Sequence, residues 1–282
     1  VKSYNASLGL TLTGSVYKAQ GDFKKAKSSY KSALELDSNN STALLYLGQF
    51  AEQENDHKTA LDFYQKTIAL NDSHVKAHQG LFRIAKNQSV HDSVLHFLQN
   101  HSQQKRNDIT IVTLSGILVQ DNQIVMALEL LESELEKESK NLRLLDHQVK
   151  LLLVNKNYDK ALLTAEKLLS LLPESSKVFT TRADIVELSG DVKKSVSILK
   201  MGLHAYPKDI EILSKLSNHY LDLGQLASAE QYVNTLSASH PNAVATHRFM
   251  GKMAFIKKDY KQAIEQLSQV NSQQKALPVV LE

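Results

Sequence analysis

Histidine is the residue type in this chain most suited to chemistry, because imidazole binds metal ions and exchanges protons near neutral pH. The 282 residues include eleven histidines. His74 and His78 are four residues apart, and His91, His96 and His101 follow at intervals of five. Two ligands on one helix face need a third ligand close by. His74 ends one predicted segment while His78 belongs to the next, and an interval of five turns a side chain off the preceding face. We therefore interpret these histidines as surface or half-buried residues, and the sequence predicts that the protein binds no metal and no cofactor.

Residues for nucleophilic or acid–base catalysis are not arranged for it either. Cysteine is absent, which excludes thiol catalysis and disulfide bonds. Leu114-Ser115-Gly116 lacks the G-x-S-x-G frame of a nucleophile elbow, and no glycine-rich phosphate loop occurs. Glu132 and Glu136 stand four residues apart, where like charges only weaken a helix. The sequence predicts that the protein is not an enzyme.

The elements that carry these residues are short helices in a regular repeat. Segment 7–40 predicts two helices, with Leu10 and Gly14 on one face of the first. Gly21 permits the turn between them, and Asp22 is placed to cap the second. Moved along by 34 residues, this segment matches its neighbour, so the chain is a repeat array.

Small residues recur at two positions of the repeat, where they let antiparallel helices pack closely. With residue 7 as position one, position twenty is Ala26, Ala60, Ser93, Ala127, Ala161, Ser195, Ala229 and Ala263. Every interval is 34 except for one missing residue, which this alignment places between Ala60 and Ser93. Pro173, Pro207 and Pro241 are also 34 apart, where one helix pair must stop before the next.

This period, with small residues at positions eight and twenty and proline at thirty-two, resembles the tetratricopeptide repeat. The resemblance covers eight repeats, at 7–40, 41–74, 75–107, 108–141, 142–175, 176–209, 210–243 and 244–277. The third is the least regular, and tryptophan is absent throughout. The resemblance implies an all-α fold, a right-handed superhelical solenoid of antiparallel helix pairs. Because each unit of such an array contacts mainly its neighbours, we expect a single continuous domain over residues 1–282.

In that family the first helix of each pair lines a concave groove that binds a peptide or a partner protein. The resemblance therefore implies a non-catalytic scaffold for protein–protein interactions. Its groove positions correspond here to Tyr46, Gln49, Lys76, Arg83, Lys86, Arg143, His147, Lys150, Asp184, Glu187, Asn218, Arg248, Phe249 and Lys252. Their charge runs from basic to acidic and back to basic, which suits a partner of mixed charge. The alternative is that they are the ordinary polar surface of a solvated groove. The family's carboxylate clamp is absent, since position five is never lysine.

Overall charge and hydropathy exclude some classes of partner. The formal net charge is only +3, which does not indicate binding to nucleic acid. No stretch of eighteen apolar residues predicts a transmembrane segment. The array looks similar to long bacterial repeat lipoproteins of the envelope and exopolysaccharide type. That likeness, with the absence of cysteine, favours a periplasmic or envelope setting over the cytoplasm.

The last repeat and the leucine-rich middle leave self-association open as an alternative function. The predicted helix over 260–270 would expose Ile264 and Leu267, so a homodimer through this repeat is possible. We expect an excerpt of a longer protein, with Leu281-Glu282 as tag residues. A further alternative is a regulatory repeat region whose active domain lies elsewhere. The leucines of repeats four and five, 128–153, are either a second association face or ordinary core.

Overall fold

The computed structural model describes residues 2–172 and 175–276, which form two compact units, 1–151 and 152–282. Sixteen α-helices and no strand occur in the described residues, so the predicted all-α array of helix pairs is confirmed. The prediction of one continuous domain over 1–282 stays a prediction. None of the described helices is long and apolar enough to cross a membrane.

Eight helices lie within the first unit, and the boundary between the units falls near the end of the ninth. The first nine helices are α1 (Lys2–Ala19), α2 (Phe23–Leu36), α3 (Ser41–Gln53), α4 (His57–Leu70), α5 (Val75–Ile84), α6 (His91–Gln104), α7 (Asp108–Gln120), α8 (Ile124–Lys137) and α9 (Leu142–Val154). Those of the second unit are α10 (Tyr158–Ser170), α11 (Lys177–Leu188), α12 (Val192–Ala205), α13 (Ile210–Asp222), α14 (Leu226–Ser239), α15 (Val244–Ile256) and α16 (Tyr260–Ala276).

The turn inside the helix pair has one residue in the left-handed conformation in seven of the eight described pairs, the exception being α5–α6. Gly21 has a φ of +80°, a left-handed conformation that glycine adopts easily, and the Asp22 side chain then accepts a bond from the backbone N–H of Lys25. Asn55 and Asp56 repeat the same turn and cap before α4. The sequence signal for the start of these second helices is therefore local. The predicted repeat starts also agree with the structure at the first residues of α3, α5, α7, α9, α13 and α15.

The register of the third repeat differs from the prediction. Ser93, assigned to the buried position twenty, is exposed, whereas Val94 and Leu98 are fully buried, as Ala60 and Tyr64 are in the repeat before. The alignment that placed Ser93 there is wrong by one residue. The missing residue belongs to the connection 105–107, which has three residues where the two preceding connections between pairs have four. Loss of a residue inside a helix would rotate its apolar face by about 100°, but a connection tolerates the loss.

Position eight is small because a large side chain from position twenty-four lies against it. A Cβ added to Gly14 would come within 2.8 Å of the Tyr30 ring, and one added to Gly251 within 2.7 Å of Leu267. The tyrosines at position twenty-four of the first two repeats, Tyr30 and Tyr64, are fully buried in these slots. The ring supplies the apolar area, and the glycine supplies the space.

The leucine-rich middle is mainly hydrophobic core. Its buried members are Leu128, Leu131, Leu135, Leu144, Leu145, Leu151 and Leu152. Of the two interpretations of this segment, ordinary core packing therefore describes these leucines, and they do not form an exposed association face.

Candidate functional site

A groove of about 740 Å³ in the second unit is the candidate functional site, and we call it the second-unit groove. It is formed by α11, α12, α13 and α15. Its lining residues are Asp184, Glu187, Leu188, Val192, Ser195, Val196, Leu199, Ser214, Lys215, Asn218, His219, Asp222, Leu223, Arg248 and Phe249. Apolar and charged side chains thus share one concave surface, a mixture typical of sites that bind a ligand by burial and orient it by polar contacts.

Two ion pairs join the first helices of successive repeats along this groove. Lys215 Nζ lies 2.6 Å from Asp184 Oδ1, which connects α13 to α11. Lys252 Nζ lies 2.8 Å from Asp222 Oδ1, which connects α15 to α13. Asn218 donates a further hydrogen bond of 2.7 Å to Asp222. Lys252 also donates to Asn218 Oδ1 at 3.4 Å, so it holds α15 against α13; Asn218 lines the groove, whereas Lys252 is not among its lining residues.

Glu187 and Arg248 are the charged groove residues that make no ion pair with a described residue. Glu187 is exposed, and its one hydrogen bond, from Ser195 Oγ, is long at 3.5 Å. The Arg248 guanidinium is also exposed and lies 4.7 Å from the centre of the Phe249 ring. Such a stacked guanidinium keeps its hydrogen-bond donors free in the plane. One anionic and one cationic group are therefore available to a partner.

Phe249 itself is a core residue. Only 1% of its surface is exposed, and it packs with Leu213, Val233 and Met253. It supports the wall of the groove and the position of Arg248, and it offers almost no area to a ligand.

In the first unit, Tyr46 and Gln49 are half-buried on α3, Lys76 and Arg83 are exposed on α5, and Lys86 is exposed in the connection that follows α5. Lys86 lies in a separate hollow, lined also by Ala85, Gln88, His91, Gln120 and Asp121. Four of the five side chains thus lie on α3 and α5, and Lys86 lies in this separate hollow.

Arg83 is engaged within the protein by Glu52. Its Nε and Nη2 donate to the two carboxylate oxygens at 2.6 and 2.9 Å, and Tyr64 OH donates to the same carboxylate at 2.5 Å. Burial raises the pKa of Glu52, but the hydrogen bonds from Arg83 and Tyr64 outweigh it and hold that pKa below its ordinary value. Burial and Glu52 together raise the pKa of Tyr64. This network gives Arg83 a structural role.

The candidates on α9 also have internal partners. Arg143 Nη1 donates to Asp108 Oδ1 at 2.9 Å, and Lys150 pairs with Asp146 at 2.6 Å. His147 Nε2 shares a hydrogen bond of 2.9 Å with Ser115 Oγ. Burial, and then the neighbouring Lys150, lower the pKa of His147, so its neutral form is favoured. None of these three residues lines the second-unit groove.

The histidines are bound into local structure. His74 accepts the Ala77 N–H as an N-cap, and His78 Nε2 shares a bond of 3.0 Å with Thr110 Oγ1. His78 and His101 are both buried, so the expectation of surface or half-buried histidines is wrong for these two residues. His101 stacks on Phe97. Burial lowers the pKa of His74, His78 and His101. No group of three potential metal ligands occurs in the part of the chain that is described.

One cation missed by the sequence prediction is Lys18 of α1. Its ammonium lies 4.2 Å from the centre of the Tyr46 ring. Lys18 occupies position twelve of the first repeat, a groove position in this family, so counting positions from residue 7 would have found it.

Comparison with known families agrees with the repeated helix pairs. The model of the tetratricopeptide repeat matches residues 11–74 and 214–274. The model of the ChAPs (Chs5p-Arf1p-binding proteins) matches residues 59–201, about half of the chain. No curated protein sequence matches the chain.

Solved structures of similar fold are distant in sequence. A tetratricopeptide repeat protein from Parabacteroides merdae is 14% identical, with 90% of this chain and 99% of that one covered and a TM-score of 0.47. Pseudomonas aeruginosa pilF is 17% identical, with 75% and 97% covered and a TM-score of 0.45. YrrB, described as a TPR protein with an unusual peptide-binding site, is 17% identical, with 65% and 95% covered and a TM-score of 0.38. These likenesses are of fold type alone.

Proposed function

Because the chain belongs to the tetratricopeptide repeat family, whose members commonly mediate protein–protein interactions, we propose that it is a non-catalytic scaffold of a larger bacterial assembly. The second-unit groove holds an extended peptide or a segment of a partner protein. The setting we propose is the periplasm or the cell envelope, on the sequence likeness to envelope repeat proteins.

The observation that carries this proposal is the convergence of side chains from α11, α12, α13 and α15 on one groove. Leu188 and Leu223 are exposed there, beside the unpaired charges of Glu187 and Arg248. A partner that covers the two leucines removes apolar area from water, which favours binding. The two opposite charges then fix the direction and register of the bound segment.

The groove is preformed, which lowers the entropic cost of binding on the scaffold side. The ion pairs of Lys215 with Asp184 and of Lys252 with Asp222 hold α11, α13 and α15 in place without the partner. Binding therefore needs ordering of the ligand alone, as in other modes of recognition of an extended peptide or a helix.

A capture experiment with charge-reversed protein tests the proposal. Wild-type protein and the double variant Glu187→Lys/Arg248→Glu are immobilised and exposed to an extract of the source organism. We expect the variant to lose a partner that the wild type retains, with about a tenfold fall in affinity for the purified partner. Lys193→Glu, on an exposed site of α12 outside the groove, is the matched control. Equal capture by the wild type and the groove variant, with unchanged helicity, would refute the proposed site.

Self-association is a second candidate function, favoured by the exposed face of α16. Ile264 is 71% exposed and Leu267 is 40% exposed, although both are large and apolar. A second copy that covers them would gain hydrophobic burial.

A further inference from the structure

A second groove lies in the first unit, between the second helices of the third and fourth helix pairs, and we call it the α6–α8 groove. Its volume is about 890 Å³. Helix α6 and the connection 105–107 form one wall, α7 contributes to the floor, and α8 forms the other wall. None of the groove candidates chosen from repeat positions lines it, because those positions lie on first helices.

The floor consists of two apolar rows with the spacing of helix ridges. Leu114 and Leu118 are four residues apart on α7, and Met126 and Leu130 are four residues apart on α8. Residues at this interval form a ridge, and the channel between two ridges accepts the ridge of a third helix. Met126 is 54% exposed, so a large apolar side chain faces solvent here. The lining residues of α8 extend from Met126 to Lys137, about 17 Å or three helical turns.

An internal ion-pair network closes the end of the groove at Lys137. The side chain of Glu134 is only 12% exposed, and its carboxylate lies 2.6 Å from Lys137 Nζ and 3.6 Å from Arg106 Nε. Arg106 Nη2 also donates to the backbone carbonyl of Glu134 at 3.2 Å. Arg106 and Lys137 are the cations among the lining residues, so both are already paired within the protein.

The charge that remains on the rim is negative. Glu129 is exposed, and no described residue forms an ion pair with it. Across the groove, α6 contains no lysine or arginine and presents the side-chain amides of Gln99 and Gln103, to which no described residue hydrogen-bonds. A partner's lysine or arginine can therefore pair with Glu129, whereas a partner's carboxylate would meet no unpaired cation among the described lining residues.

We propose that the α6–α8 groove is a docking site for a basic amphipathic helix of a partner protein. Apolar side chains of that helix cover Met126 and Leu130 and pack between the two ridges, which removes apolar area from water. A lysine or arginine on one flank of the helix pairs with Glu129, and polar side chains on the other flank bind the amides of α6. The site lies within the first unit and does not depend on the proposed second-unit groove.

The test uses three synthetic fourteen-residue peptides. The first has leucines at intervals of three and four, which place them on one helix face, with lysines and alanines elsewhere. The second has the same composition in a scrambled order, and the third has glutamates in place of the lysines. Fluorescence anisotropy of each labelled peptide gives its affinity for the full chain at low salt. We expect the first peptide to bind, and the other two to bind at least about tenfold more weakly.

Two groove variants have matched controls on the same helix. Met126→Lys places a charge on the apolar floor, and Glu129→Lys reverses the charge of the rim; each should weaken binding of the first peptide about tenfold. Val125 is 59% exposed and Glu136 is exposed without an ion pair to a described residue, and neither lines the groove. Val125→Lys and Glu136→Lys make the same changes in charge and should alter the affinity less than about threefold.

Methyl NMR locates the bound peptide. The chain has four methionines, of which Met126 and Met201 are exposed, and Met201 lies on α12 in the second unit. The methyl signal of Met126 should shift when the first peptide is added, while that of Met201 stays in place. Equal losses in the groove variants and their controls, or equal binding of the scrambled or the glutamate peptide, would overturn the proposal. So would an unmoved Met126 signal, or the absence of binding at low salt.

Discussion

The Gly80→Ala substitution tests the packing of the first unit. Gly80 lies inside α5, and a Cβ there would come within 2.4 Å of Tyr64 Cζ and 2.5 Å of its Cε2. The ring has little room to retreat, because Gly48 lies so close that a Cβ there would be 2.8 Å from it. The Tyr64 hydroxyl is also tied to Glu52. The methyl group must therefore displace the ring, the helix or both.

The expected magnitude follows from three opposing effects. Alanine gains about 1 kcal/mol of helix propensity over glycine. Overpacking in a closed core costs about 2 kcal/mol, and loss of the hydrogen bond from Tyr64 to the charged Glu52 costs about 2 kcal/mol more. The free energy of unfolding of the first unit should therefore fall by about 1 to 3 kcal/mol. Gly9→Ala is the matched control, since Gly9 is also helical and nothing lies within 4 Å of its added Cβ. It should raise stability by up to about 1 kcal/mol.

Urea unfolding followed by circular dichroism measures the overall effect, and native-state hydrogen exchange assigns it to one unit. The two alanine variants should differ by about 2 to 4 kcal/mol in the exchange of the slowest amides of the first unit, while those of residues 177–256 stay unchanged. If Gly80→Ala were as stable as Gly9→Ala, the slot for the Tyr64 ring would not be as tight as the structure shows, and the inference that Gly80 and Gly48 leave the space for that ring would fail.

Three further predictions follow from the same structure. Burial lowers the pKa of His78 and His101 in the folded protein, so the unfolded chain binds protons first as pH falls. The stability that these histidines contribute should be full above their pKa in the unfolded chain, about 6.5, and should decline below it. The urea midpoint should therefore be lower at pH 5.5 than at pH 7.5, and a midpoint that rose at pH 5.5 would contradict this. Arg83→Met should raise the pKa of Glu52, measured by ¹³C NMR, and lower stability by about 1 kcal/mol, because the carboxylate loses its bidentate partner; an unchanged pKa would contradict it. Ile264→Ser should abolish any dimer seen by light scattering, and a wild type that stays monomeric at high concentration would exclude self-association through α16.

Local signals carried most of the fold prediction. The turn of Gly21 and Asp22 and its copy at Asn55 and Asp56 fix helix starts within a few residues, because they depend on backbone conformation and one cap bond. The alignment of the third repeat was wrong by one residue, because residue size alone does not distinguish two neighbouring small side chains. Ser93 fits position twenty by size, and only burial shows that Val94 occupies it.

Repeat counting predicted on which helix face the candidate residues lie, but it did not predict which side chains pair with one another. Asp184, Glu187 and Arg248, chosen by counting repeat positions, all line the second-unit groove. It could not show that Lys252 pairs with Asp222, thirty residues earlier, because a pairing across two helices depends on their crossing geometry and side-chain rotamers.

The sequence by itself determined the repeat and the residues at which most helix pairs begin, since both follow from period, turns and side-chain size. Only the tertiary structure decided which charged side chains form ion pairs within the protein and which are available to a partner. Arg83 is neutralised by Glu52, while Lys18 and Arg248 lie against aromatic rings and have no counterion among the described residues. The physical reason is that a charge is free or paired according to distances of a few ångströms between helices, and the repeat pattern does not contain those distances.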